Sequence, residues 1–299
     1  LQQSILLDKA IQQYLQHLSF RKYSEQTIRG YDIDLRQLNH FLTHLVNAPI
    51  FIDEVTAEHL ESFQQYLISQ QLSPASINRK THSSKSLFKW ALAKKMIAAN
   101  CALEIIPLKL PHNERHFLTK AMLQQFLQHV HHPTIQIIAQ FIANTGLRIT
   151  ECTQLLLTDI NWDLHTVNVV HGKGGKSRTV PLNASIYNLL HHYIAEIRPK
   201  NCTSLYLFAL PKTGSISAQY VNSIFKNAST EMKHPKPITC HILRHTFASN
   251  LVKNNVHIAV IQRLLGHANV RTTSVYMHTD FKELQQAVNS LNCLGGAFR

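Results

Sequence analysis

The chain has 299 residues, 44% of them apolar, enough for two domains of ordinary size with cores of their own. Thirty Lys and Arg against 17 Asp and Glu leave a net charge of +13, which points to a polyanionic partner. No run approaches the roughly 18 apolar residues of a membrane span. Five cysteines without a CxxC pair or a signal peptide read as reduced thiols of a cytoplasmic protein.

The charge is uneven. Residues 1–110 hold 12 basic and 9 acidic side chains, and residues 111–299 hold 18 and 8, so most of the field belongs to the second part. Twenty histidines include two crowded groups, His129, His131 and His132, and His191 with His192. No carboxylate or thiol joins either at a metal-ligand spacing, so no metal and no cofactor is expected.

The N-terminal region reads as four helices. Ile5, Leu6, Ile11, Tyr14, Leu15 and Leu18 form the stripe of the first. Ser24 caps a second with Ile28, Tyr31, Leu35, Leu38, Leu42 and Leu45 inward, and Thr56 starts a third on Leu60, Phe63 and Leu67. Ser73 followed by Pro74 opens a fourth that runs to about Ala99. That helix carries Arg79, Lys80, Lys85, Lys89, Lys94 and Lys95 with no acid between Ile77 and Asn100. Such a face is either simply solvated or suited to phosphates and a groove. Residues 106–116, with Pro107 and Pro111 and no helical period, read as a linker between domains at 1–105 and 117–299.

In the second part, Thr119 opens a helix and residues 133–144 form another that ends near Gly146. Arg148 and Glu151 lie just past it, three apart, with Glu151 either steadying the arginine or serving as ordinary surface charge. Alternating residues 166–170 and 178–182 flank a glycine-rich turn, a hairpin with Lys173 at its tip and Lys176 and Arg178 beside it. The turn lacks the GxxxxGK[ST] pattern of a nucleotide loop. Helices follow at about 184–197 and 217–232, with an apolar run at 205–210 between them. Thr239 caps a helix on which His241 and Arg244 share a face, while Leu243, Phe247 and Leu251 bury an adjacent stripe. Ile258, Ile261, Leu264 and Leu265 form the next stripe, stopped by Gly266, with His267 at once and Tyr276 nine residues on. Asp280 can cap a last helix on Leu284, Val288 and Leu291.

The blocks GLR-x-x-E, G-K-G-x-K, H-x-LRHTFA, I-x-x-IQ-x-LLGH and TT-x-x-Y cover most of residues 140–280. With them the chain resembles the tyrosine recombinases, or phage integrase family, and most of all the compact Xer-type enzymes. One departure is Thr150, where many relatives carry Ser. The resemblance implies a mainly α fold with a small β component: an N-terminal helical, SAM-like core-binding domain and a C-terminal α+β catalytic domain. It implies Arg148, Lys173, His241, Arg244, His267 and Tyr276 as the catalytic set, with Tyr276 the nucleophile that becomes linked to a DNA 3′ phosphate. Arg79, Lys80, Lys85, Lys89, Lys95, Lys176 and Arg178 are the candidate DNA contacts.

The expected activity is ATP- and metal-independent site-specific recombination of duplex DNA, for chromosome or plasmid dimer resolution or for a mobile element. The expected assembly is a homo-tetramer, or a hetero-tetramer with a related recombinase, on two sites, with an accessory activator left open and a place at the nucleoid. The terminal helix either docks on a neighbour, as in that family, or folds back on its own domain. A type IB topoisomerase-like enzyme and a DNA-binding protein with a dead site are the alternatives. The second should have lost some of the six residues, and none is lost.

Overall fold

The computed structural model describes residues 4–111, 116–170, 177–200 and 203–266. The chain divides into two compact units, Leu1–Asn113 and Glu114–Arg299. Among the described residues no helix is long and apolar enough to cross a membrane.

The first unit is a four-helix assembly, α1 Leu7–Phe20, α2 Glu25–Val46, α3 Ala57–Ser69 and α4 Pro74–Ala93. Its starts are marked as the sequence marks them: the Ser24, Thr56 and Ser73 hydroxyls accept N–H groups from Thr27, His59 and Ser76. The facing stripes meet in one core that includes Leu7, Ile11, Leu35, Leu38, Leu42, Phe63, Leu67, Leu87 and Phe88.

The helix ends are less regular. The fourth helix stops at Ala93 rather than near Ala99, because Lys95 turns into the left-handed region at φ 58° and the Met96 N–H returns to the Ala91 carbonyl. Lys22, Gln71, Lys233 and Asn255 end their helices in the same conformation without being glycine. Beyond α4, a single 3-10 turn at Cys101–Leu103 and the segment after it lie on the first unit. Asn78 exchanges two hydrogen bonds with Leu108, and Ala102 and Ile105 are buried in its core.

The second unit opens with α5 Lys120–Gln128, α6 Pro133–Thr145 and the short α7 Ile149–Gln154. A small antiparallel sheet follows in the order β1 Ile160–Asn161, β2 Thr166–Val169, β3 Arg178–Pro181. Val167 pairs with Val180 and turns inward, so the hairpin keeps the register its alternation predicts; the two-residue β1 is an addition to it. Then come α8 Ala184–His192, α9 Ala218–Glu231, α10 Cys240–Lys253 and α11 Ile258–Leu265.

The stretch read as one helix at 184–197 is α8 followed by a wider π-helical turn, Tyr193–Ile197. That turn buries Tyr193, whose hydroxyl accepts the Ala209 N–H. Helix α6 is apolar nearly all round, with Ile135, Ile138, Phe141 and Ile142 fully buried, and is the central post of this unit. It packs against α10. The hairpin tip with Lys173 and Lys176, and everything from His267 on, including Tyr276 and the expected last helix, lie outside the described residues.

Candidate active site

The site is assembled where α6 ends. Gly146 caps α6 in the left-handed conformation, φ 67°, and a Cβ there would sit 2.4 Å from the Phe247 ring of α10. A side chain at 146 would therefore force the two helices apart. The chain then turns straight into α7 with Arg148 as its N-cap residue. Glu151, at the third helical position, accepts the Arg148 N–H at 2.8 Å and the Arg148 Nη1 at 2.8 Å. Backbone and side chain of one arginine are thus fixed by one carboxylate, at a helix N-terminus that already favours a negative group.

Glu151 is 3% exposed, which rules out ordinary surface charge. Arg178, the first residue of β3, grips it with two arms, Nη1 to Oε1 at 3.0 Å and Nη2 to Oε2 at 2.8 Å. Arg244 Nη1 lies 3.9 Å from Oε2. Burial by itself would raise the Glu151 pKa. The Arg178 fork, the Arg148 N–H and the Arg148 guanidinium outweigh it and hold the carboxyl at about 2. One anion therefore sits among three guanidinium groups, leaving a net charge of +2.

Arg244 comes from α10, whose N-cap Thr239 accepts the Ile242 N–H. Its side chain is 4% exposed, and it donates from Nη1 to the Gly146 carbonyl and from Nη2 to the Leu265 carbonyl at 2.6 Å. Those two carbonyls close α6 and α11, so the plane of the guanidinium is set by two helix ends. The stripe below it divides: Leu243 belongs to the main core, while Phe247 and Leu251 pack with Ala248, Ile261 and Leu265.

His241 is exposed on the same helix, and its Nε2 lies 2.9 Å from Nε2 of His245 one turn on. One of these nitrogens must donate and the other accept. Spacing alone could have found His245, since i and i+4 face each other on a helix. Thr246 adds an anchor by accepting the Leu118 N–H at 2.9 Å.

The basic residues proposed to meet DNA are placed very differently from one another. Lys80 is buried, 3.1 Å from Asp34 of α2, and Arg79 and Ser83 donate to the same carboxylate. Lys85 is half-buried and donates to the Ile105 carbonyl at 2.6 Å. Arg178 is turned inward as described. Lys80 and Arg178 are therefore not surface contacts: a buried carboxylate holds each of them. Lys89 and Lys95 are exposed, and Arg79 is half-exposed.

Cys152 and Cys240 are buried near Glu151 and at the start of α10. Burial pushes the Cys240 thiol up to about 12 and Cys152 well above its ordinary value, so both are inert as nucleophiles at neutral pH. Among the described residues no cluster of three metal-ligating side chains occurs. A groove of about 590 Å³ beside His132, Leu210 and Tyr220 contains none of the candidate residues.

Comparison with known proteins gives a consistent picture. The model of the Phage integrase family matches residues 116–283, and that of the phage integrase N-terminal SAM-like domain matches residues 11–95. A tyrosine recombinase of Pseudothermotoga lettingae is 30% identical, over 93% of this chain and 95% of its own. Tyrosine recombinase XerC of Staphylococcus saprophyticus is 28% identical, over 94% and 96%. Among solved structures, the Tn1549 transposon integrase in complex with a circular intermediate DNA superposes with a TM-score of 0.81 at 20% identity, over 96% of this chain and 100% of that one. A lambda integrase dimer bound to a COC′ core site gives 0.76 at 18%, over 91% and 77%. At those identities the two structures speak for the fold.

Proposed function

Because the chain belongs to the phage integrase family, the tyrosine recombinases, we propose that Tyr276 cuts DNA at a phosphodiester held by Arg148 and Arg244. Enzymes of this class break and rejoin DNA through a tyrosine-linked intermediate, and this chain is one of them. The observation that carries the division of labour is the convergence of Arg148 and Arg244 on Glu151, from positions far apart in sequence.

The Tyr276 oxygen attacks phosphorus, a phosphotyrosine bond forms and the bond to the 5′ oxygen breaks. The phenol proton passes to His241, and Lys173 protonates the departing 5′ oxygen. Charge gathers on the non-bridging oxygens in the transition state, and two preorganised guanidiniums with His267 oppose it. The phosphotyrosine conserves the bond energy, so a second 5′ hydroxyl can reverse the step without ATP.

The relatives at 28–30% identity support an Xer-like, site-specific role. In our reading the protein works in the cytoplasm as four protomers on two DNA sites that exchange strands in pairs. Denaturing the protein after incubation with genomic DNA, then sequencing what remains attached, tests both the chemistry and the site preference. A single recurrent sequence attached through its 3′ end is expected, and Tyr276→Phe should bind DNA as tightly yet trap none. Attachment at scattered positions, together with relaxation of any supercoiled plasmid, would favour a topoisomerase.

A further inference from the structure

We infer that Arg178 is a positioning residue that holds the two phosphate-binding arginines, the end of α11 and the base of the Lys173 hairpin in one frame. The inference rests on the reading that Arg148 and Arg244 hold the phosphate.

Every donor nitrogen of Arg178 is engaged inside the protein. Nε donates to the Leu264 carbonyl at 2.9 Å, and the two Nη groups fork onto Glu151 at 3.0 and 2.8 Å. The side chain is only 10% exposed. The fit is close on the other side as well: a Cβ at Gly266 would lie 2.9 Å from Arg178 Nη1, so the left-handed glycine that ends α11 also makes room for the guanidinium. A lysine could match neither the fork nor the third bond.

The consequence for the site is electrostatic. Glu151 already receives Arg148, and Arg244 lies 3.9 Å away. Arg148 reaches both oxygens of Glu151, through its N–H and Nη1, and the fork adds a second bidentate cation that balances the anion. Without the fork, a buried carboxylate would compete with the phosphate for Arg148 and Arg244, and the cluster would fall from a net +2 to +1. A phosphodiester carries one negative charge and its five-coordinate transition state carries two, so the loss is felt most at the transition state. Arg178 also stands at the first residue of β3, five positions after Lys173, and its Nε anchors the α11 carbonyl three positions before His267.

The test uses the duplex recovered from the covalent adduct. Binding is measured across salt, and single-turnover cleavage is measured at saturating protein, for R178A, R178K, R178A/E151Q and R148A. R178A should bind within about twofold of wild type with an unchanged salt slope, because no phosphate contact is lost. It should cleave on the order of 100-fold more slowly, and R178K should regain little. R178A/E151Q should cleave roughly tenfold faster than R178A, because the unbalanced carboxylate is gone.

A salt slope flatter by about 0.9 for R178A, with normal cleavage once bound, would make Arg178 a DNA contact and overturn the inference. If R178A is unfolded at the assay temperature, the double variant decides. A folded R178A/E151Q that cleaves at the wild-type rate would mean that the fork only holds the fold together, and one still slowed about 100-fold would overturn the electrostatic account. Slow R148A with wild-type R178A overturns the inference alone, whereas wild-type cleavage by R148A overturns the phosphate reading and the inference with it.

Discussion

Among the described residues, each unit buries one carboxylate under a fan of donors, and the two fans differ in origin. Asp34 is 1% exposed and takes Arg79, Lys80 and Ser83, all from one face of α4. Glu151 takes Arg148 and Arg178, with Arg244 close by, from α7, β3 and α10. The first ties one helix to another. The second gathers side chains from three separate elements and leaves a surplus of two positive charges. Burial of an acid among bases is shared, so what separates the staple from the proposed reaction centre is the number of elements it draws together and the charge it leaves over.

The largest effect should come from removing the second carboxylate. Glu151→Ala leaves three crowded guanidiniums without a counter-charge and should destabilise the C-terminal unit by about 3–5 kcal/mol while abolishing cleavage. Urea unfolding followed by a probe in each unit would show the loss confined to one of them. An equal loss in both would erase the distinction drawn between the fans.

Acid should reveal the same carboxylate. Its pKa lies at about 2 in the folded chain against an ordinary 4.5. The stabilisation is therefore complete above about 4.5 and lost as pH falls from there through 2, an amount on the order of 3 kcal/mol. Wild-type stability should fall over that window, and Glu151→Gln, starting lower at pH 7, should fall less. Parallel curves for the two proteins would contradict the assignment.

At the first fan, Asp34→Ala should cost about 2–3 kcal/mol, chiefly because Lys80, 8% exposed, is left buried without its partner. Adding Lys80→Met should recover most of that, and cleavage of bound DNA should be normal in both variants. A cleavage defect that persists in the refolded double variant would give Asp34 a part in the chemistry. The smallest effect is expected at the exposed end of α4. Lys89→Ala with Lys95→Ala should flatten the salt dependence of binding by roughly 0.9 for each lost phosphate contact, with folding unchanged. An unaltered slope would leave this face to solvent.

Much of this was legible in the sequence because it is local. Ser24, Thr56, Ser73, Thr119 and Thr239 cap the helices they precede, and the stripes of α1 to α3 bury as their spacing requires except at Leu45, which stays 49% exposed in the last turn of α2 beyond the reach of the core. Gly146 and Gly266 stop α6 and α11. What could not be read was tertiary. Helix α4 has no acid of its own, and only folding brings Asp34 beneath it. Arg178 lies in a basic, glycine-rich stretch that looks like surface until β3 turns it toward Glu151. The end of α4 went unseen because a lysine, rather than a glycine, makes the left-handed turn.

That last habit carries a consequence of its own. Three helix-terminating residues with positive φ are lysines, Lys22, Lys95 and Lys233, where a side chain costs about 1 kcal/mol of backbone energy. A glycine at each would relax the turn, at some loss of chain stiffness in the unfolded state, and would also delete a positive charge from a protein whose excess is +13. Thermal tolerance and attraction to a polyanion are thus set against each other at these three positions. Variants bred for heat alone should drift there toward glycine or asparagine, and variants selected to hold their partner in high salt should keep the lysines.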